Sequence, residues 1–431
     1  MTPRPHRRRS SKENRARRCD MLDLAGPCSL IRFLVCFAPP VQQIPPPITG
    51  VSPMATPHVI QAALQLAVGD GVFPGAQLAV RLRGELLCVA VAGRLSSEPP
   101  GLPVQPSTIY DLASLTKPLA TVTSVLLLIQ RAKIALEDPV QQALAELEGT
   151  PIGQATVRDL LTHRSGLPGW RPLYERLDAR GIVPGLPGGD QPVKQHVLQM
   201  IRDEPLIYAR GERSVYSDLG FMLLGFLVER LSGMALDLWC EEAIVRPLRA
   251  DPLTFCPTAG RAQLGVARPT VDASRIAPTE QDEWRNRFLC GEVHDENAAA
   301  MGGVAGHAGL FGTAESVLAV SGDWLRGYHG RESILDGKLV RQFTTRQESA
   351  ARSSWALGWD TPSAPSSSGS RFSERSFGHL GYTGTSLWID PLCELEVVLL
   401  SNRVHPSRRN EKIKVFRPCI HDLIYQEFVS A

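Results

Sequence analysis

The chain has 431 residues, 43% hydrophobic and 21% charged, a balance that excludes a low-complexity protein and leaves ample material for a large core. Its 46 Lys and Arg against 44 Asp and Glu give a net charge of +2, so charge favours neither nucleic acid nor a membrane surface as partner. Nine scattered cysteines, with no C-x-x-C and no Cys/His cluster, argue against a disulfide framework and against a metal site. A reducing compartment follows, and a cytoplasmic location is expected, with periplasm or secretion the alternative if the N-terminus acts as an export signal.

In chain order, the basic run MTPRPHRRRSSKENRARR reads as a solvated tail rather than a nucleic-acid arm. CSLIRFLVCFAPP is too short to cross a bilayer, is broken by Arg32, and lacks a small-x-small cleavage site. PPVQQIPPPITGVSP then reads as a linker, so residues 1–53 are expected to be a leader outside a domain that runs from 54 to 431. Residues 56–70 carry apolar residues at helical spacing, and GAQLAVRLRGELLCVAVAGRL predicts two strands turning at Arg83-Gly84.

From Ser114 onward the pattern turns helical. VRDLLTHRSGL, KQHVLQMIRDE, DLGFMLLGFLVERLSG and AESVLAVSGDWLRGY show i, i+3, i+4 apolar spacing. GIVPGLPGGDQP and PTAGRAQLGVARPT predict surface loops, and PSAPSSSGS a mobile segment. LATVTSVLLLI, with its hydroxyl residues, predicts a buried helix and no stable membrane insertion. Strand signals return in SWALGWD, FGHLGYTG, SLWIDP and LEVVLLSNRV, with a turn at Asp390-Pro391, before an amphipathic closing helix. Strands, then helices, then strands predict an α+β fold: one antiparallel sheet from both chain ends (about 54–115 and 350–431) flanked by helices, with an all-helical region (about 116–349) inserted.

Three short motifs carry chemistry. Ser114-Leu115-Thr116-Lys117 is the sole S-x-x-K, and at a helix start it sets hydroxyl and amine on one face, one turn apart. That pair can make a nucleophile without histidine, although a chain of this size holds about one such pattern by chance. Tyr216-Ser217-Asp218 precedes an amphipathic helix. Ser217 or Asp218 would cap it, and the Tyr216 phenol could shuttle a proton. His379-Leu380-Gly381 falls on a predicted strand, where Gly381 and Gly384 admit close backbone approach. The Tyr382 amide could then donate to an oxyanion together with that of Ser114. His163, His294 and His307 read as loop or core hydrogen-bonders, and Trp170 and Tyr174 as either packing or cleft wall.

S-x-x-K, then Y-S-D, then H-L-G, in this order, resemble the motifs of the serine β-lactamase and penicillin-binding-protein superfamily, and more narrowly its class C-related hydrolases and esterases. DLASLTKP, LLTHRSGLP and GGVAGHAGLFGTA add to the likeness, which spans about residues 56–431. The resemblance implies a β-lactamase/transpeptidase-like fold and an acyl-enzyme on Ser114, with Lys117 as proton acceptor or electrostatic support. It makes Tyr216 the partner base, and the amides of Ser114 and Tyr382 the oxyanion hole. It implies no cofactor and no metal, and a small ester, amide or lactam as partner; it leaves the oligomeric state open.

Two departures bear on substrate. Asp218 stands where such proteins often have asparagine, and His379 where lactamases and transpeptidases have lysine. A mostly neutral His379 weakens the anchor for a substrate carboxylate. A neutral Lys117 would need its pKa to fall about three units, roughly 4 kcal/mol, and a nearby Asp218 opposes that fall. The expectation is a protonated Lys117 that lowers the pKa of Tyr216, the base. An esterase-type serine hydrolase is the preferred reading. A β-lactamase or D-alanyl-D-alanine carboxypeptidase is the first alternative, and a non-catalytic binding protein on the same fold the second.

Overall fold

The computed structural model describes residues 58–97, 101–179, 191–255, 272–347 and 353–430. The expected leader, residues 257–270 and most of the Gly/Pro-rich run 181–192 lie outside them.

Five strands form the main antiparallel sheet: β1 (Gly75–Leu82), β2 (Glu85–Gly93), β3 (Phe377–Leu380), β4 (Ser386–Asp390) and β5 (Leu395–Ser401), in the order β2-β1-β5-β4-β3. Both chain ends meet at its centre, where β1 pairs with β5 from Ala76↔Ser401 to Leu82↔Leu395. Arg83 (φ 53°) and Gly84 (φ 83°) make the tight turn between β1 and β2, as the sequence predicts.

Strand periodicity splits the sheet into two faces. Leu78, Val80, Val397 and Leu399 pack against helix His58–Gly69 and the closing helix Ile413–Phe428 through Ile60, Leu64, Phe416 and Ile420. Ala79, Leu387, Ile389, Val398 and Leu400 face the opposite way, into the larger core around Leu115, Leu119, Val122 and Leu126. Helix Ala113–Gln130 is the one helix among the described residues long and apolar enough to cross a membrane, and 83% of it is buried inside the fold.

The central region is not all-helical. Thr254–Phe255 and Tyr110–Asp111 flank Leu310–Gly312 in a small sheet, and Gln281–Asp282 pairs with Arg287–Phe288. SWALGWD is not a strand either. Trp355 and Asp360 bridge each other, so the segment folds back on itself and buries Trp359 against Trp324 and Phe377. PSAPSSSGS is pinned to the closing helix, for Ser370 donates from N and Oγ to Asp422 at 2.6 and 3.0 Å. Polar low complexity predicts mobility only where nothing accepts its hydrogen bonds.

Candidate active site

The nucleophile turn is built against local preference. Ala113 sits at φ 48°, a left-handed conformation that costs a non-glycine residue about 1 kcal/mol or more. Asp111, buried, holds it there: Oδ1 accepts from the Ala113 amide at 2.8 Å and Oδ2 from the His294 amide at 2.6 Å. Ser114 is the middle residue of a 3₁₀ segment, Ala113–Leu115, followed by a wide π turn over Lys117–Val122 and regular α-helix from Thr123 to Gln130. Lys117 Nζ reaches back to Ser114 Oγ at 3.0 Å, as the i, i+3 spacing predicts.

Lys117 is fully buried: Nζ donates to Ser114 Oγ and to the His307 carbonyl, both at 3.0 Å, and forms an ion pair with Asp218 Oδ1 at 2.7 Å. Burial alone would push the amine down, but the Asp218 carboxylate and Tyr216 outweigh it and hold its pKa above the ordinary lysine value. Lys117 is therefore an ammonium, as expected.

Ser217, not Asp218, is the N-cap of helix Asp218–Ser232, accepting from the Gly220 amide at 3.2 Å. That leaves the Asp218 carboxylate free for Lys117. The THRSG string positions this loop: His163, at φ 56°, accepts the Ser217 amide on Nδ1 at 3.1 Å and the Val215 amide on its carbonyl at 2.9 Å. The Tyr216 phenol feels both Lys117 and Ser114, and its ring centroid lies 4.8 Å from Lys117 Nζ. The expected effect of Lys117 on Tyr216 is present but outweighed. Lys117 does pull the phenol down, but burial is the larger effect and leaves the Tyr216 pKa raised. The sequence named the charge and had no access to the desolvation.

The GGVAGHAG string supplies the acceptor for Lys117. Gly306 lets it in, for a Cβ there would lie 2.1 Å from the Phe221 carbonyl. His307 is also paired with Asp295, Nε2 to Oδ1 at 2.8 Å, and His294 with Glu280 at 3.0 Å, so the three singled-out histidines are hydrogen-bonders. Tyr174 packs on Trp284 with ring centroids 4.8 Å apart, and Trp170 is exposed.

His379 lies on β3, 3% exposed, its ring 6.0 Å from that of Tyr216. Burial and the nearby Lys117 charge lower its pKa to about 3, so the imidazole is neutral. The loop after β3 is bolted to the nucleophile turn: Thr383 Oγ1 donates to the Asp111 carbonyl at 2.7 Å and Thr385 Oγ1 to the Leu112 carbonyl at 3.0 Å. Gly381 must be glycine, since a Cβ would sit 2.5 Å from the Leu112 carbonyl and closer still to Thr385 Oγ1. This holds the loop that carries Tyr382 against the nucleophile turn that carries Ser114, and neither of their amides donates a hydrogen bond to the described residues. No cluster among the described residues could hold a metal ion.

The structure thus brings Ser114, Lys117, Tyr216, Asp218, His379, Gly381 and Tyr382 into one neighbourhood. Asp111, Thr383, Thr385 and the His307 carbonyl belong with them and were missed. The DLAS and GYTGT strings held the signal for the first three, and GGVAGHAGLFGTA that for the His307 carbonyl.

An α+β fold with a Ser–Lys–Tyr constellation around a buried lysine, behind an antiparallel sheet, defines the class. Residues 60–417 match the family described as Beta-lactamase, and the chain belongs to that family. A Salmonella agona (strain SL483) protein, provisionally named a D-alanyl-D-alanine carboxypeptidase, is 33% identical over 324 residues, 71% of this chain and 72% of its own. Among solved structures, unliganded simvastatin synthase from Aspergillus terreus superposes with TM-score 0.64 at 21% identity, covering 87% of this chain and 99% of its own. EstCE1, a hydrolase with promiscuous acyltransferase activity, gives TM-score 0.64 at 19% identity over 83% and 97% of the two chains. At those identities the superpositions show the fold. The chain has the β-lactamase/transpeptidase fold and is of serine-hydrolase type, which implies small-molecule substrates.

Proposed function

We propose that this serine hydrolase is of esterase type and acylates Ser114 with small neutral or weakly polar acyl groups. His379 carries the reading. At the position where the resemblance puts a substrate-anchoring lysine stands a neutral, covered imidazole. Its Nδ1 lies 2.8 Å from the Leu380 carbonyl, which can only accept, so the ring proton is committed there. The other cations nearby are engaged as well. Lys117 is bound to Asp218, and Arg403 donates to the Tyr382, Arg408 and Asn410 carbonyls.

In this reading Tyr216, as phenolate, takes the Ser114 proton while Oγ attacks the acyl carbon. The amides of Ser114 and Tyr382 receive the oxyanion, Lys117 offsets the phenolate charge, and the phenol returns its proton to the leaving alcohol. The same phenolate activates water for deacylation. Because the resting phenol has a raised pKa, the base is scarce at neutral pH and kcat/KM should climb with pH well into the alkaline range. Tyr216→Phe should lower the acylation rate by at least ~100-fold and flatten that climb. Stopped-flow acylation from pH 6 to 10 checks it, and a variant with the wild-type rate and slope would remove Tyr216 from the chemistry.

The substrate class is tested by comparing a short-chain aryl ester with a chromogenic cephalosporin, with mass spectrometry of the trapped protein. The expected result is ester turnover at least ~10-fold faster and an acyl adduct on Ser114. The name of the Salmonella relative favours a second reading, D-alanyl-D-alanine carboxypeptidase or β-lactamase, and a faster lactam rate would install it. A covalent serine probe that labels a known relative but not this protein would instead support a binding protein.

A further inference from the structure

The closing helix Ile413–Phe428 carries Arg417, which is 6% exposed and has no ion-pair partner among the described residues. An unpaired buried cation is among the least favourable groups a core can hold, and an apolar side chain of similar length would be free of that penalty. Burial and the neighbouring Arg403 pull its pKa down to about 9, which leaves it charged at neutral pH. What it does with that charge is specific. Nη2 donates to the Gly381 carbonyl at 2.9 Å and to the Thr385 carbonyl at 2.7 Å, spanning the loop bolted to the nucleophile turn. Arg403 does the same one peptide further on, donating from Nε to the Tyr382 carbonyl at 2.9 Å with its guanidinium 4.5 Å from the Tyr382 ring.

Gly381 creates the need for this. Glycine is required by the close approach to Leu112 and Thr385, yet glycine also leaves the following peptide freer to rotate than other residues would. The backbone bond on the Gly381 carbonyl, from the Gly384 amide, is a long 3.2 Å. In a trans peptide, as here, the carbonyl and the next N–H point in opposite directions, so fixing one aims the other. A positive charge at the carbonyl end also polarises the peptide and strengthens its N–H as a donor.

We propose that Arg417 is a positioning residue for the oxyanion hole: by holding the Gly381 carbonyl it fixes the Gly381–Tyr382 peptide and points the Tyr382 N–H at the developing oxyanion. The proposal rests on the acylation of Ser114 argued above. It predicts a loss in the transition state and not in substrate binding. In Arg417→Met, kcat for the aryl ester should fall roughly 30-fold, less than the ~10²–10³ of a fully deleted donor, with KM within about threefold. Affinity for an alkyl boronic acid, which forms a tetrahedral adduct on Ser114, should fall by the same factor as kcat/KM. Active sites counted by serine-probe labelling should stay near wild type. Arg417→Lys, which keeps the charge and reaches one carbonyl, should recover part of the rate, and it serves as the measured variant if Arg417→Met does not fold. Unchanged kcat and boronate affinity in both variants would overturn the proposal, as would a rate loss matched by an equal loss of labelled sites. A wild-type protein that neither turns over ester nor takes the probe fails the acylation reading itself, a separate outcome.

Discussion

Lys117→Met is expected to reduce Ser114 acylation by at least about a thousandfold while leaving the chain folded. Lys117 touches the nucleophile at 3.0 Å and the Tyr216 ring at 4.8 Å, so one substitution removes the donor on Oγ and the charge that makes a phenolate tolerable. Residues acting as one unit lose most of the unit's contribution when any member is removed. The stability effect is of a different size. The variant deletes the one group in the trio that is wholly desolvated, and methionine fills a similar volume without the penalty of burying a charge. It leaves the His307 carbonyl and Asp218 without a donor, but Asp218 is 17% exposed and can turn to water. A net change within about 2 kcal/mol follows. Burst kinetics with an activated ester, read beside chemical denaturation, separates the two. Acylation within tenfold of wild type would show that Lys117 is structural.

How much of this was legible in the chain follows from the range of the interactions. Ser114 and Lys117 are three residues apart on a helix, and Tyr216, Ser217 and Asp218 form a local cap, so pattern reading finds both. The sheet from both chain ends is legible too, because β1 and β5 are mainly apolar runs, interrupted only by Gln77, Arg81, Glu396 and Ser401, as suits strands covered on both faces. Contacts of long sequence separation were invisible. The bond from His294 to Asp111 spans 183 residues, that from Thr385 to Leu112 spans 273, and nothing local announces either. SWALGWD misled because its aromatic content suits a strand and a folded-back core loop equally well. Tyr216 is the most instructive case. A sequence shows which charges are available, but desolvation depends on what closes over the group, and here burial decides the sign.

Asp218→Asn should do the reverse of Lys117→Met: the chain loses stability and keeps much of its activity. The resemblance puts asparagine at this position, and its amide oxygen can still accept from Lys117, so the proposed acylation machinery should survive. Without the carboxylate, however, a fully buried ammonium loses its counter-charge, and breaking such a pair costs about 3 kcal/mol, the lower end of the range because Asp218 is partly exposed. The pH dependence has a definite sign. The folded-state pKa of Lys117 is raised, so the pair's contribution is fully present below the unfolded lysine value of 10.5 and is lost as pH rises through the folded pKa. The stability gap between wild type and Asp218→Asn should therefore be constant through neutral pH and narrow above about 10. In the activity profile, Asp218 is one of the groups that raise the Tyr216 pKa. Removing it should move the rising limb of kcat/KM to lower pH. The double variant Lys117→Met/Asp218→Asn, with no charge left to desolvate, should regain most of the lost stability and none of the activity. Urea unfolding of all four proteins closes the cycle. A double variant as unstable as Asp218→Asn alone would mean that the carboxylate stabilises the fold through some contact other than Lys117.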